Sequence, residues 1–485
     1  MLPPDYLEKI EKQAMNVYNN LELDIIQEIA ERIANVGYAN TVAKNDIMIA
    51  QEMGMLYTDI VDLVAKYNKS SYEDTLKIFE DAGATSIKID DEVYKKAGLN
   101  PIKIKQDKSM MDLLIASAEK TNNNLNNLVM STANTSQLDF LNAMNQAYME
   151  VSTGVKSYSQ SIIDAVDKIS TKGTTVVYPS GHKTSIESAA RMNIITGVNQ
   201  TCGKLQEMRA LELGWDLMEI SAHGGARPEH AVWQGKIVSL SGQKGYLSLK
   251  DIGYGTATGF KGVNCRHDWM PYFKGSSKTY TEQQLKEWQN ETVQYNNTTM
   301  TRYQASQTQR QMEKIIREDK KKLIGYDGIL RSNTTDVELI KKTKMAFSKR
   351  SLIYNQHQNQ LNDFIEQIES KKDETRMYVG NYEKTISKQV QSVKNIANKY
   401  NKSGIIGSKV NGIEIKEIGE HIISRTYTRD VSLEDVKDTL KNPIKYGKIR
   451  KDNSQQIKGA NCTIAINVET GKLITVFPKK TKKEE

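Results

Sequence analysis

The chain has 485 residues, 26% of them charged and 38% hydrophobic, with only 8 prolines, which allows about three domains and long uninterrupted helices. Its three cysteines, Cys202, Cys265 and Cys462, are too few for a disulfide-stapled secreted fold and predict synthesis in a reducing cytoplasm. The first residues carry no signal-peptide pattern and no run of 18 apolar residues occurs, so no membrane partner is expected.

The formal net charge is +8, and residues 404–485 supply +5 of it, with 16 Lys and Arg against 11 Asp and Glu. That uneven balance singles out the C-terminal end for contact with RNA or DNA. Tyrosine, at 23, outnumbers phenylalanine, at 7. A polar tip on an apolar ring suits faces buried against a partner, so assembly with other chains is expected.

In chain order, residues 1–150 read as a helical docking domain. Leu7, Ile10, Ala14 and Tyr18 recur at helical spacing, and Leu21, Ile25, Ile26, Ile29 and Ile33 extend the stripe. Ser71 before Tyr72-Glu73-Asp74 predicts a helix start, Gly83 a helix stop, and the Asn-rich run 121–128 a weak point or break.

Residues 151–275 read as a mixed α+β domain. Val176 to Tyr178 form a short strand before the Pro179-Ser180-Gly181 turn, and a helix spans Ser185 to Leu213, stopped at Gly214. From Trp215 to Trp269 the sequence is dense in Gly and collects most of the His, Trp and Cys, which marks a tightly specified loop region.

Residues 276–402 read as a polar helical arm or linker. Thr281 with Gln284 makes a helix start, with Tyr280 packing on Leu285, and Gly325-Tyr326-Asp327-Gly328 predicts a break. Residues 403–485 read as a small basic α+β domain. A helical stretch covers Ile418–Tyr427, a second opens at Ser432-Leu433-Glu434-Asp435 and stops at Asn442-Pro443, and two strands flank Glu469-Thr470-Gly471-Lys472 as a hairpin. The fold class expected overall is mainly α, a helical bundle with long helices, plus a mixed α+β central domain and a small α+β C-terminal domain.

Two constellations could carry chemistry. His223, His230, Cys265 and His267 are borderline or soft ligands in number enough for one tetrahedral zinc ion, the one cofactor the sequence suggests. The alternative is that these side chains simply hydrogen-bond the backbone of a Gly-rich loop. Glu229 and Asp268 lie near in sequence, but neither has a spacing that marks a general base, so a zinc hydrolase is the weaker use of these residues. His182 and His357 read as surface residues, and Trp215, Trp233 and Trp269 as core or interface anchors.

The second constellation is C-terminal. A helix over 417–429 would align Glu417, His421, Arg425 and Arg429 on one face. Imidazole can take or give a proton and guanidinium can stabilise a phosphorane-like transition state, which is what cleavage of an RNA phosphodiester needs. Thr475, with Lys479 or Lys480 after it, would add a hydroxyl and a cation. The plain alternative pairs Glu417 with His421 and leaves the arginines solvated.

The words His223-Gly-Gly-Ala-Arg227-Pro228-Glu229-His230, Trp233-Gln234-Gly235-Lys236 and Asn264-Cys265-Arg266-His267-Asp268-Trp269 resemble the phage minor capsid protein 2 family, relatives of Mu protein-F-like head morphogenesis proteins. The likeness reaches upstream to Tyr178–Gly181 and Ala190-Arg191-Met192 and covers roughly the first 275 residues. It implies a structural head protein placed near the portal, in the virion, with portal and capsid proteins as partners. The C-terminal order of His-x-x-x-Arg, helix, Asn-Pro, hairpin and Ile474-Thr475-Val476-Phe477 resembles phage-borne barnase/colicin/RelE-type nucleases. That implies a metal-independent ribonuclease or toxin, with an immunity protein as a further partner; no second histidine lines up, so its general acid is unassigned. The other reading makes the chain a nuclease effector whose N-terminal part is only a packaging module.

Overall fold

The computed structural model describes Leu2 and residues 4–36, 42–172, 175–178, 181–380, 382, 386–428 and 431–479. Long helices dominate, as composition predicts. α1 (Pro4–Val36), α2 (Val42–Lys96), α3 (Lys108–Ser152), α4 (Tyr158–Lys172) and α5 (Ile186–Glu212) pack side by side. The predicted α1 stripe is the core: Leu21, Ile25, Ile26, Ile29 and Ile33 are all fully buried, each contributing about 1.5–3 kcal/mol of apolar burial.

Several predicted punctuation marks prove to be interior positions. Helix α2 runs unbroken through Ser71 and Gly83, and α3 runs through the Asn-rich 121–128 stretch. Gly83 is there for close packing: a Cβ would lie 2.7 Å from Leu114 Cδ2 on α3. Tertiary contact with neighbouring helices outweighs the local preference for a stop. At α5 the local signals hold, with the Ser185 side chain capping Ser188 N and Gly214 at φ +65 just past the end.

Strands β1 (Thr175–Val177) and β2 (Lys183–Ser185) form an antiparallel pair before α5. After α5 comes a four-stranded sheet of β3 (Leu217–Ile220), β4 (Ile237–Ser239), β5 (Leu247–Ser248) and β6 (Trp269–Pro271), in the order β5-β4-β3-β6. The one-turn helix α6 (Pro228–Ala231) sits in the β3–β4 connection. Trp233, Phe260 and Trp269 fill the small core of this unit with Met218, Ile220 and Val238. Helix α7 (Glu282–Asn290) begins at Thr281, whose side chain accepts from Gln284 N as predicted. It leads into a hairpin absent from the sequence reading, β7 (Thr292–Tyr295) and β8 (Thr298–Thr301), turned by Asn296 and Asn297 at φ +44 and +63.

Helices α8 (Arg302–Arg331) and α9 (Val337–Gln367) are not an extended arm: α8 packs on α1 and α4, and α9 packs on α8. The segment looked too polar for a core because α8 buries charge in pairs. Glu22 of α1 accepts from Lys321 Nζ at 2.5 Å and also from Arg317, whose Nη2 reaches Asn19 Oδ1 at 2.8 Å. Asp319 accepts from Arg350 at 3.0 Å and pairs with His357 Nδ1 at 2.6 Å, so His357 joins this network. Buried charges of this kind persist only when paired.

The predicted break at 325–328 is a contact site instead. At Gly325 a Cβ would collide with Ser170 Oγ and lie 2.8 Å from Val166 Cγ1; at Gly328 it would lie 2.9 Å from Ala30 Cβ. Both glycines let α8 approach α4 and α1 closely.

The last unit has its own core. Helices Ser387–Asn401, Glu420–Tyr427 and Leu433–Lys441 supply Val393, Tyr400, Ile422, Ile423 and Val436. The second and third pack on a five-stranded sheet ordered 417–418, 472–478, 462–467, 454–458, 445–446, and the first packs on the second. The Ser432 capping box and the hairpin around Gly471, at φ +70, are where the sequence places them. Tyr427 stacks on Phe347 of α9 with centroids 6.2 Å apart, which docks this unit on the helical body. Among the described residues no helix is long and apolar enough to cross a membrane.

A paired substitution checks the role of the α8 glycines. Gly325→Ala is expected to destabilise by about 1–3 kcal/mol through overpacking against Val166 and Ser170. Gly54→Ala in α2, where a Cβ meets nothing within 4 Å, is expected to stabilise by about 0.5–1 kcal/mol. Thermal unfolding of both variants reads the contrast, and equal shifts would refute it.

Candidate functional site

The His- and Cys-bearing words of the middle segment converge on one point. His230 sits on α6, whose first residue is Pro228, and Cys265 and His267 lie on the strand-like approach to β6. His230 Nδ1 and His267 Nδ1 are 3.4 Å apart, and Cys265 Sγ lies 3.8 Å and 3.6 Å from them. All three side chains are buried. Among the described residues this is the group of His, Cys and carboxylates compact enough to hold a metal ion.

His223, the fourth predicted ligand, is brought close but stands apart from that group. Its ring stacks on His267 at 4.5 Å and 25°, and its Nδ1 is 3.0 Å from the Gly224 carbonyl. Glu229 is exposed, and Asp268 is engaged elsewhere. Burial first, then His223 and His230, then Arg227 and Lys261, hold His267 well below its ordinary titration range. Burial likewise lowers His230 and His223 and raises the Cys265 thiol. The imidazoles are therefore neutral, with lone pairs available.

What positions these side chains is a buried polar clamp invisible to spacing arguments. Lys261 is 1% exposed and lies in the left-handed region at φ +59. Its ammonium pairs with Asp268 and donates to Asn199 Oδ1 at 2.9 Å. Asn199, from α5, donates to the Cys265 carbonyl at 2.7 Å and lies 3.4 Å from that of His267. Asp268 also accepts from the Leu2 backbone amide, and Gln206 Nε2 donates to the Trp269 carbonyl at 3.0 Å. One lysine, one aspartate and one asparagine thus fix the 261–269 loop against α5 and the backbone of Leu2. The Lys261 Cδ–Cε stem also fills the space a Cβ on Gly203 would need. The signal that could have found this clamp is weak: a Lys and an Asp amid apolar and Gly residues.

The three histidines also line a cavity of about 710 Å³ whose other walls come from α8 and from 368–376. Its charged lining is mainly cationic, with Arg227, Arg266, Arg302, Arg310 and Arg376 outweighing Asp373 and Glu374. Burial, then Arg376 and Arg266, lower Arg310 to about 10.

In the C-terminal unit, helix 420–427 begins after Gly419, so Glu417 is not on it. Glu417 lies in a strand parallel to 472–478 and pairs with Lys472 Nζ at 2.5 Å. His421 is exposed, Arg425 half-buried, Thr475 half-buried and Lys479 exposed; Arg429 and Lys480 lie outside the described residues. Gly419 N donates to the Leu473 carbonyl at 2.7 Å, and a Cβ there would meet the Leu473 and Ile474 oxygens at 2.5 and 2.8 Å. The helix start bearing His421 is therefore pinned to the strand segment that leads directly to Thr475. Lys479 lies at the far end of that strand, its amide bonded to the Asn461 carbonyl.

Comparison with known proteins gives two matches. The family described as "Phage minor capsid protein 2" matches residues 2–366. A protein of Lactococcus phage LL-H titled "Structural protein" is 25% identical over 282 residues, covering 54% of this chain and 75% of the phage protein. No solved structure matches.

Removing the clamp tests its weight. Lys261→Met leaves Asp268 buried without its cationic partner, and is expected to cost about 3–5 kcal/mol. Lys261→Met with Asp268→Leu together should recover much of that loss in chemical denaturation. A single variant as stable as the parent would rule the clamp out.

Proposed function

Because the chain belongs to the phage minor capsid protein 2 family and is a structural component of the virion, we propose that it assembles close to the portal and carries its C-terminal α+β unit as a metal-independent ribonuclease. The portal-proximal placement rests on the family resemblance together with the shape of the body. Long helices with half-buried Tyr and Met along them, and exposed apolar residues such as Leu138 and Met149 on α3, suit docking on other head proteins. Cross-linking of intact virions followed by mass spectrometry is expected to join residues of α2 or α3 to the portal protein. Links only to shell subunits distant from the portal would overturn the placement.

One observation supports the nuclease reading above the alternatives: Gly419 seats the His421 helix against 473–474, beside Thr475, on a unit that has its own core and a basic surface. In this arrangement His421 serves as the proton carrier, Thr475 as a hydroxyl donor to a phosphate oxygen, and Arg425 as the charge that the phosphorane-like state needs. Purified full chain is expected to cleave RNA in the presence of a chelator. His421→Ala should lower that rate by about 10²-fold or more without shifting the melting temperature, since His421 is exposed. RNA left intact by the parent protein would leave a purely structural function.

A further inference from the structure

We propose that His230, Cys265 and His267 form a structural binding site for a tetrahedral divalent ion of the zinc class. The interatomic distances carry it first. Metal–nitrogen bonds of about 2.0–2.1 Å and a metal–sulfur bond of about 2.3 Å in a tetrahedron give N···N edges of about 3.4 Å and N···S edges of about 3.6 Å. The edges found are 3.4 Å for His230 Nδ1 to His267 Nδ1, and 3.8 and 3.6 Å for Cys265 Sγ to each. A hydrogen-bonded trio has no reason to adopt all three spacings at once, because two facing ring nitrogens and a sulfur share too few protons.

The outer contacts select the tautomers a metal requires. His230 Nε2 is 2.8 Å from the Thr258 carbonyl, and a carbonyl can only accept. Arg227 Nη2, which can only donate, lies farther from the same nitrogen, at 3.1 Å. The shorter carbonyl contact favours the proton on Nε2, with the Nδ1 lone pair presented to the cluster. His267 Nε2 faces Gln234 Oε1 at 3.0 Å. That amide oxygen also accepts from His223 N at 2.8 Å, which orients it as an acceptor. His267 Nδ1 is thus a second inward lone pair. Second-shell carbonyls of this kind are how ligating imidazoles are oriented. Asn199 holds the Cys265 carbonyl, so the sulfur's backbone is fixed as well.

His223 is not a ligand in this assignment. It stacks on His267 with its own Nδ1 against the Gly224 carbonyl, which leaves the fourth position to a water molecule from the arginine-lined cavity that His230 and His267 also border. Such an ion would join α6 to the loop before β6, two segments otherwise linked by few hydrogen bonds. It would stabilise the Gly-rich middle by closing a long loop.

The test uses the full-length protein. Elemental analysis after gel filtration is expected to find about one zinc per chain. Cobalt(II) added to the chelator-stripped protein should give a thiolate-to-cobalt charge-transfer band in the near ultraviolet and d–d absorption of tetrahedral intensity. Cys265→Ser should abolish the charge-transfer band, and His267→Ala should lower zinc content at least tenfold. His223→Ala should keep both zinc and the cobalt spectrum. Parent protein that is folded, free of zinc and without a charge-transfer band would overturn the site, whatever the variants do. Loss of zinc in His223→Ala would overturn the three-ligand assignment.

Discussion

The middle of this protein depends on one buried ion pair. Lys261 and Asp268 are almost wholly removed from solvent, and the Lys261 ammonium also donates to Asn199. A lone buried ammonium or carboxylate costs several kcal/mol, so each is tolerated only through the other. Lys261 and Asn264 both lie in the left-handed region, in the loop that runs through Cys265 and His267 and that Asn199 holds through the Cys265 carbonyl. The His and Cys cluster is therefore a consequence of the clamp: its members converge because the backbone beneath them is nailed to α5.

The same principle recurs in the helical body. α8 contributes Glu313, Arg317, Lys320 and Lys321 to the interior, and each has a specific acceptor or donor on another segment. Arg376 pairs with Glu313, Lys320 donates to the Met377 carbonyl, and Arg317 and Lys321 meet on Glu22. Polar groups satisfied in this way add little net stability but allow few alternative packings. A head protein that must present one defined surface to its neighbours benefits from such a body, and this helix helps explain how a chain of mean hydropathy −0.58 still packs a large core in its helical body. In the C-terminal unit, by contrast, the core is ordinary aliphatic packing of helices on a sheet.

The sequence by itself determined whatever depends on neighbours within a few residues. The caps at Thr281 and Ser432, the helix from Ser185, the α1 stripe, the 462–478 hairpin and the words that carry the family resemblance were all legible, because capping, periodicity and turn geometry act over one or two turns of chain. Only the tertiary structure decided how Gly83, Gly325 and Gly328 are used, since a glycine that ends a helix and one that admits a neighbouring helix look alike until the neighbour is in place. It also decided that the polar segment 302–367 lies against the body, because the charges that make it look solvated find their partners on other helices and segments, on Glu22 of α1 as well as on 350–377. His223 parted from His230, Cys265 and His267 for the same reason: ligand type can be read from a sequence, but the few tenths of an ångström that make three side chains converge come from a lysine, an aspartate and an asparagine meeting across the fold.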